Sequence, residues 1–286
     1  MIQIQHLNFG YSRRSPLFRD LNLNLEKGHI YGLLGKNGAG KSTLLKNMVG
    51  LAFPQAGKCL VEGCDISKRS PDLLAQVFFI PEEIYVPGVT AARFVDTTAC
   101  FYPLFSETEF YRYLEEFEVP REAVLNKMSF GQQKKMMIAF GLATNTRYLV
   151  MDEPTNGLDI PSKVQFRKII ASALTDDRCM IISTHQVRDL DSLIDTLVVL
   201  HQNQIVLSED LDSIAERLYF TVMPAASNGE GSVLYEEASV RGRQVIQANH
   251  AGKYSKVDME LLFNGIISGH QSLTQPLIQA QYEKSL

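Results

Sequence analysis

Gly35-Lys36-Asn37-Gly38-Ala39-Gly40-Lys41-Ser42 restricts, more than any other segment, what this chain can fold into. Before it, His29 to Leu34 is a short apolar run of the kind that forms a buried parallel strand; after it, Ser42 to Met48 has helical spacing. The glycines therefore fall at a strand-to-helix turn. Lacking a Cβ, they accept positive φ and let successive backbone N–H groups converge at the positive end of the following helix, where phosphate oxygens bind. The G-x-x-x-x-G-K-S/T spacing adds Lys41, which reaches the β- and γ-phosphates, and Ser42, whose hydroxyl serves a Mg²⁺ ion. Gly35, Lys36, Asn37, Gly38, Ala39, Gly40, Lys41, Ser42 and Thr43 are the expected phosphate-binding residues of a nucleoside triphosphate site.

About a hundred residues later, Tyr148-Leu-Val-Met-Asp152-Glu153 reads as an apolar strand ending in adjacent carboxylates, and period-2 alternation sends them to different faces. Asp152 suits the Mg²⁺ shell, usually through water, while Glu153 can turn toward the γ-phosphate and polarise an attacking water. Between loop and strand lies Met128-Ser129-Phe130-Gly131-Gln132-Gln133, followed by Met136, Ala139, Phe140 and Ala143 at i, i+3, i+4, i+7. Ser129 and Gly131 thus stand at a helix start. That start is both an N-cap and a second anion site, since its exposed N–H groups and the Ser129 hydroxyl are donors.

Gly35 to Ser42, Ser129-Phe-Gly-Gln132, Leu149 to Glu153 and Ile182-Ser-Thr-His185 occur in the order and spacing of ATP-binding cassette (ABC) ATPases, and the chain resembles that family over roughly residues 1–210, while its Leu261-Leu-Phe ending resembles that of bacterial export-type members. The resemblance implies an α/β P-loop NTPase fold of the ABC ATPase type, with an inserted helical subdomain and a small C-terminal α+β appendage. It implies ATP and Mg²⁺ as cofactors. Tyr11 looks like the aromatic that stacks on adenine, Asn156 to Asp159 like the loop linking two active sites, and His185 like the residue contacting the γ-phosphate. Glu153, His185 and Lys41 are the implied catalytic groups, with Ser42, Glu82 and Asp152 around the metal. Two positions depart from the pattern: the usual glutamine after the third strand is Glu82, and the first glycine of the signature is Phe130. Glutamate still offers oxygen to Mg²⁺ but adds charge beside the triphosphate, and Phe130 leaves Ser129 and Gly131 in place.

The 286 residues fit one nucleotide-binding domain, 1–210, and an appendage, 211–286. Further strands are expected at Val77 to Ile80, Met180 to Ser183 and Leu197 to Leu200, with helices between, as in an α/β sheet that binds ligand at its strand C-termini. Residues 84–128 instead hold two helical stretches, Thr90 to Cys100 and Ser106 to Phe117, rich in aromatics. These form either the insertion's own core or, as the family implies, a contact with a membrane subunit. Ser208 to Arg217 reads as a helix and Leu218 to Met223 as an apolar run. Pro224 to Ser232 is turn-forming; β-like runs lie near Ser232 to Tyr235 and Gln244 to Gln247, a closing helix at Leu261 to Ile267, and a loose polar tail at 268–286.

A net charge of −4 with no long basic run argues against a nucleic-acid partner, and the four scattered cysteines suit reduced structural thiols. No apolar stretch of eighteen residues or export signal is present, so a cytoplasmic protein, peripheral at the inner face of the cell membrane, is expected. The chain carries one phosphate loop, and that loop and the signature helix of one ATPase face do not ordinarily reach the same triphosphate. The expected unit is therefore a dimer, homomeric or heteromeric, that drives a separately encoded integral membrane permease, with export the favoured direction. The alternative is an ABC-type ATPase of a soluble assembly machine that transports nothing.

Overall fold

The computed structural model describes residues 1–12, 15–224, 233–240, 242–250, 252–269 and 273. In chain order the strands are β1 (Ile2–Phe9), β2 (Phe18–Leu25), β3 (Ile30–Leu34), β4 (Ala56–Val61), β5 (Cys64–Asp65), β6 (Val77–Ile80), β7 (Tyr148–Asp152), β8 (Cys179–Thr184), β9 (Thr196–His201), β10 (Gln204–Asp210), β11 (Leu218–Met223), β12 (Val233–Ser239) and β13 (Gly242–Ala248). The helices are α1 (Lys41–Met48), α2 (Pro71–Leu74), α3 (Ala91–Thr98), α4 (Glu107–Glu116), α5 (Phe130–Ala143), α6 (Ile160–Ser172), α7 (Leu211–Arg217) and α8 (Met259–Ile267).

Six strands make the central sheet, in the order β10-β9-β3-β8-β7-β6, all parallel except β10. The five parallel strands are mostly apolar because both faces are covered, whereas the antiparallel edge strand β10 is more polar and only partly buried. Alternation divides them between two cores: Tyr31, Leu33, Tyr148, Val150, Ile181 and Val198 join α1 and an antiparallel sheet β2-β1-β4-β5, while Leu34, Leu149, Met151, Met180, Ile182 and Val199 join the helices. That antiparallel sheet goes beyond the strands expected from sequence. Its signal was nonetheless present: Leu21, Leu23 and Leu25 of β2 are buried at alternate positions between exposed polar residues.

The register brings the strand ends level. Leu34 pairs with Thr184, Asp152 with Ser183 and Ile80 with Met151, so the segments that follow β3, β6, β7 and β8 leave one edge together. This is the C-terminal edge, where open α/β sheets take ligands.

On the helical side, the aromatics of residues 84–128 mostly build a core. Phe110, Tyr113 and Phe117 are buried, and the Phe140 ring of α5 lies 5.0–6.2 Å, centroid to centroid, from Phe78, Phe94, Tyr102, Phe105 and Phe110. Tyr85, at 92% exposure, and Phe101, at 68%, are the contrasting cases. The helix expected from Ser208 starts later. Ser208 to Asp210 extend β10 against β9, and α7 begins at Leu211, because the Asp210 carboxylate caps it by accepting from the Ser213 N–H.

A third sheet, β11-β13-β12, and α8 follow, and Leu218, Phe220, Ile246, Leu261, Leu262 and Ile266 continue the core of the helical side. Ion pairs Arg188–Glu260 (2.9 Å) and Lys256–Asp191 (2.6 Å) fasten this segment to the chain just beyond β8. Within the tail expected to be loose, Leu273 is fully buried, against Gly265. The turn-forming stretch at 225–232 and the tail from 274 lie outside the described residues.

Candidate functional site

Gly40 is the N-cap of α1 with φ 103°, a left-handed conformation that a side chain resists, and a Cβ there would stand 3.0 Å from the Phe18 ring. At Gly35 a Cβ would meet the Leu200 carbonyl at 2.8 Å, so the loop needs glycine to pass the end of β9. Side chains cap the N-termini of α3, α4, α5 and α6 (Thr90, Ser106, Ser129 and Asp159), whereas α1 has neither a side-chain cap nor an acidic residue in its first turn. Its free N–H groups and helix dipole form a cradle for an anion.

Lys41 is buried; its ammonium donates to the Gly35 carbonyl (2.8 Å) and stands 3.6 Å from Glu153 Oε1. Glu153 follows the last residue of β7 and holds φ 46°, which for a side-chain-bearing residue costs about 1–3 kcal/mol. Its surroundings enforce that turn. The Glu153 N–H donates to the Ser183 carbonyl (3.1 Å), Oε2 accepts from the Thr184 hydroxyl (3.0 Å), and Oε1 lies 2.9 Å from His185 Nδ1. A carboxylate only accepts, so Nδ1 carries the hydrogen and Nε2 is the ring nitrogen left for other partners. Asp152, beside it, accepts a hydrogen bond from the Ser183 hydroxyl and is buried.

A cleft of about 860 Å³ opens at this edge, lined by Tyr11, Lys36 to Gly38, Gly40 to Thr43, Glu82, Glu153, Asn156, His185 and Asn203 among others, while Gly35 and Ala39 of the loop do not line it. Tyr11 stands at its rim, 73% exposed, its hydroxyl 3.1 Å from Thr43 Oγ1 and its ring edge-on to Phe9. Glu82 Oε1 accepts from the Asn156 amide (2.9 Å). The structure thus brings together Tyr11, the glycine loop, Lys41, Ser42, Glu82, Glu153 and His185, with Asp152 behind the cleft wall. Ser129, Gly131, Gln132 and Asp159 do not line it. Ser129 and Gln132 close a capping box on α5, each side chain bonded to the other residue's backbone, and Asp159 caps α6, the Ser162 hydrogen bonds holding its carboxyl below the usual range.

Ser42, Glu82 and Asp152 offer oxygen only, and no group of three or more His, Cys, Asp or Glu side chains that could hold a metal occurs among the described residues. A hard cation that keeps its waters and shares phosphate oxygens fits such a donor set. Ser183 and Thr184, within the Ile182-Ser-Thr-His185 motif, and Asn203 and Lys134 outside any motif, had no role assigned from the sequence. The hydroxyl pair directly before His185 was a usable signal for the first two; Lys134 had none, because a lysine on an amphipathic helix normally faces water.

Fold and cleft define a P-loop α/β protein that binds a nucleoside triphosphate at its sheet edge. A family model described as ABC transporter matches residues 18–156. The cobalt import ATP-binding protein CbiO of Salmonella typhi is 33% identical over 220 residues, covering 72% of this chain and 80% of its own. The bacitracin transport ATP-binding protein BcrA of Bacillus licheniformis is 27% identical over 261 residues, covering 86% and 84%. A solved ATP-binding subunit of an ABC transporter matches with a TM-score of 0.68 at 25% identity, covering 75% of this chain and 91% of that one. The chain belongs to the ABC transporter family: it is an ATP-binding subunit, an ATPase that powers a membrane transporter.

Proposed function

We propose that this ATPase works as a head-to-tail dimer, with a second copy or a related subunit, that closes around MgATP and drives a separately encoded integral membrane permease. The carrying observation is the separation of Ser129, Gly131 and Gln132 from the cleft that gathers Lys41, Glu153 and His185. A serine cap for the γ-phosphate in that cleft has to come from another chain, which makes ATP part of the interface.

In this reading the loop N–H groups and Lys41 hold the phosphates, Tyr11 stacks on the base, and Ser42, Asp152 and Glu82 provide oxygens for Mg²⁺. Magnesium, when bound, neutralises phosphate charge. Glu153 orients the attacking water and accepts its proton, and His185 is held by Glu153 so that Nε2 meets the γ-phosphate. Asp159 anchors the loop joining the two sites. Hydrolysis removes the contact that joins the protomers, and the dimer opens.

Residues 1–210 form the nucleotide-binding unit, 84–128 its helical insertion and 211–286 an appendage. Export is the proposed direction, on the likeness of the Leu261-Leu-Phe ending to that of bacterial export-type ATPase subunits. Among the described residues no helix is long and apolar enough to cross a membrane, and the permease would hold the protein at the inner face of the cell membrane. Detergent pull-down of the full chain tests the reading. Recovery of a polytopic membrane protein supports it; recovery of soluble assembly factors alone sinks it.

A further inference from the structure

Lys134 lies on α5 five residues after the Ser129 cap and is fully buried. Burying an ammonium is unfavourable unless acceptors and counter-charges surround it. Its Nζ donates to the Glu82 carbonyl at 2.8 Å and stands over the Phe130 ring, 5.5 Å from the centroid. Burial pulls the Lys134 pKa down, and Glu82 is the strongest of the anions that oppose this, ahead of Asp152 and Glu153. The Phe130 ring rests in turn on Gly157, where a Cβ would lie 2.7 Å from it. One side chain therefore touches both positions, 82 and 130, at which the sequence departs from the pattern of its family.

We propose that Lys134 is a positioning residue of the ATPase, supplying from α5 the positive charge that allows Glu82 to stand where the family places a neutral glutamine. Glu82, Asp152 and Glu153 converge on a site that must accept a polyanion, and Lys41 offsets only one of them. A second buried cation returns the site to the formal charge it would have with glutamine at 82 and a neutral residue at 134. In a low-dielectric interior that charge acts over several ångströms without direct contact. The hydrogen bond to the Glu82 backbone and the Phe130 ring keep the ammonium in place, tying the signature helix to the segment after β6. The proposal rests on the reading that the cleft binds MgATP.

Opposite signs separate charge compensation from simple structural support. ATP is titrated into the full chain by calorimetry in EDTA, so that neither magnesium nor hydrolysis intervenes, for the parent, Glu82→Gln, Lys134→Met and the double variant. The expected result is an ATP Kd about fivefold lower for Glu82→Gln, about fivefold higher for Lys134→Met, and within about twofold of the parent for the double variant. Weaker binding in both single variants, with the losses adding in the double, overturns the proposal. Where Lys134→Met fails to fold, Glu82→Gln still decides, since unchanged or weaker binding there is enough to reject compensation. If the parent itself binds no ATP even with Mg²⁺, the assigned function fails first and the proposal with it.

Discussion

Replacing Glu153 by glutamine separates chemistry from architecture at this site. The carboxylate accepts from the Thr184 hydroxyl at 3.0 Å and from His185 Nδ1 at 2.9 Å, with the Lys41 ammonium at 3.6 Å. A glutamine fits the same space with its carbonyl toward His185 and Lys41 and its amide donating to Thr184, whose hydroxyl rotates to accept. Two charge-assisted hydrogen bonds become neutral ones, about 1–2 kcal/mol together, the buried Lys41 exchanges its ion-pair partner for an amide carbonyl, and the backbone turn stays held by the N–H bond to Ser183. Losing the base is larger: about 10²- to 10⁴-fold in turnover, or roughly 3–5 kcal/mol of barrier. Phosphate release at saturating MgATP should fall at least about a hundredfold. ATP affinity should hold or rise, because the polyanion no longer faces that carboxylate, and light scattering on a sizing column should show a persistent ATP-bound dimer. Turnover close to the parent's in a strictly monomeric Glu153→Gln protein would refute both the role of Glu153 and the shared site.

Phe140→Ala removes the ring on which five other aromatics meet and should cost about 3–5 kcal/mol in urea unfolding; a loss under about 1 kcal/mol would contradict the aromatic core. Burial pushes the Cys59 thiol up to about 12 and raises the Tyr31 and Tyr148 phenols. The folded chain then keeps protons that the unfolded chain releases, so stability falls as pH rises above the ordinary thiol range near about 8.5, and a melting temperature that does not drop over that range counts against it. Native labelling with iodoacetamide near neutral pH should modify the exposed Cys64 and Cys100 and spare Cys59 and Cys179 until urea is added.

Much of the fold was legible because its signals are local. The strands from Ile30, Val77, Tyr148, Cys179 and Thr196 are apolar runs of strand length, and α5 announced itself by Met136, Ala139, Phe140 and Ala143, all fully buried. Less legible was the start of α7, where Ser208 to Asp210 suit a helix by composition but pair with β9 instead. For the aromatics of residues 84–128, the same pattern serves a core or an interface. Burial at Phe110, Tyr113 and Phe117, against exposure at Phe101, separates the two.

From the order of residues alone came the glycine cradle with Lys41 and Ser42, the acidic strand end and the capped signature helix, each a short pattern whose geometry follows from backbone rules within a few residues. Only the tertiary structure decided that Lys41, Glu82, Glu153 and His185 share one cleft while Ser129 and Asp159 stay outside it, and that Lys134 lies inside the protein. The physical reason is one of range. Periodicity tells which side of its own helix or strand a residue occupies; what covers that side depends on parallel register between strands far apart in the chain.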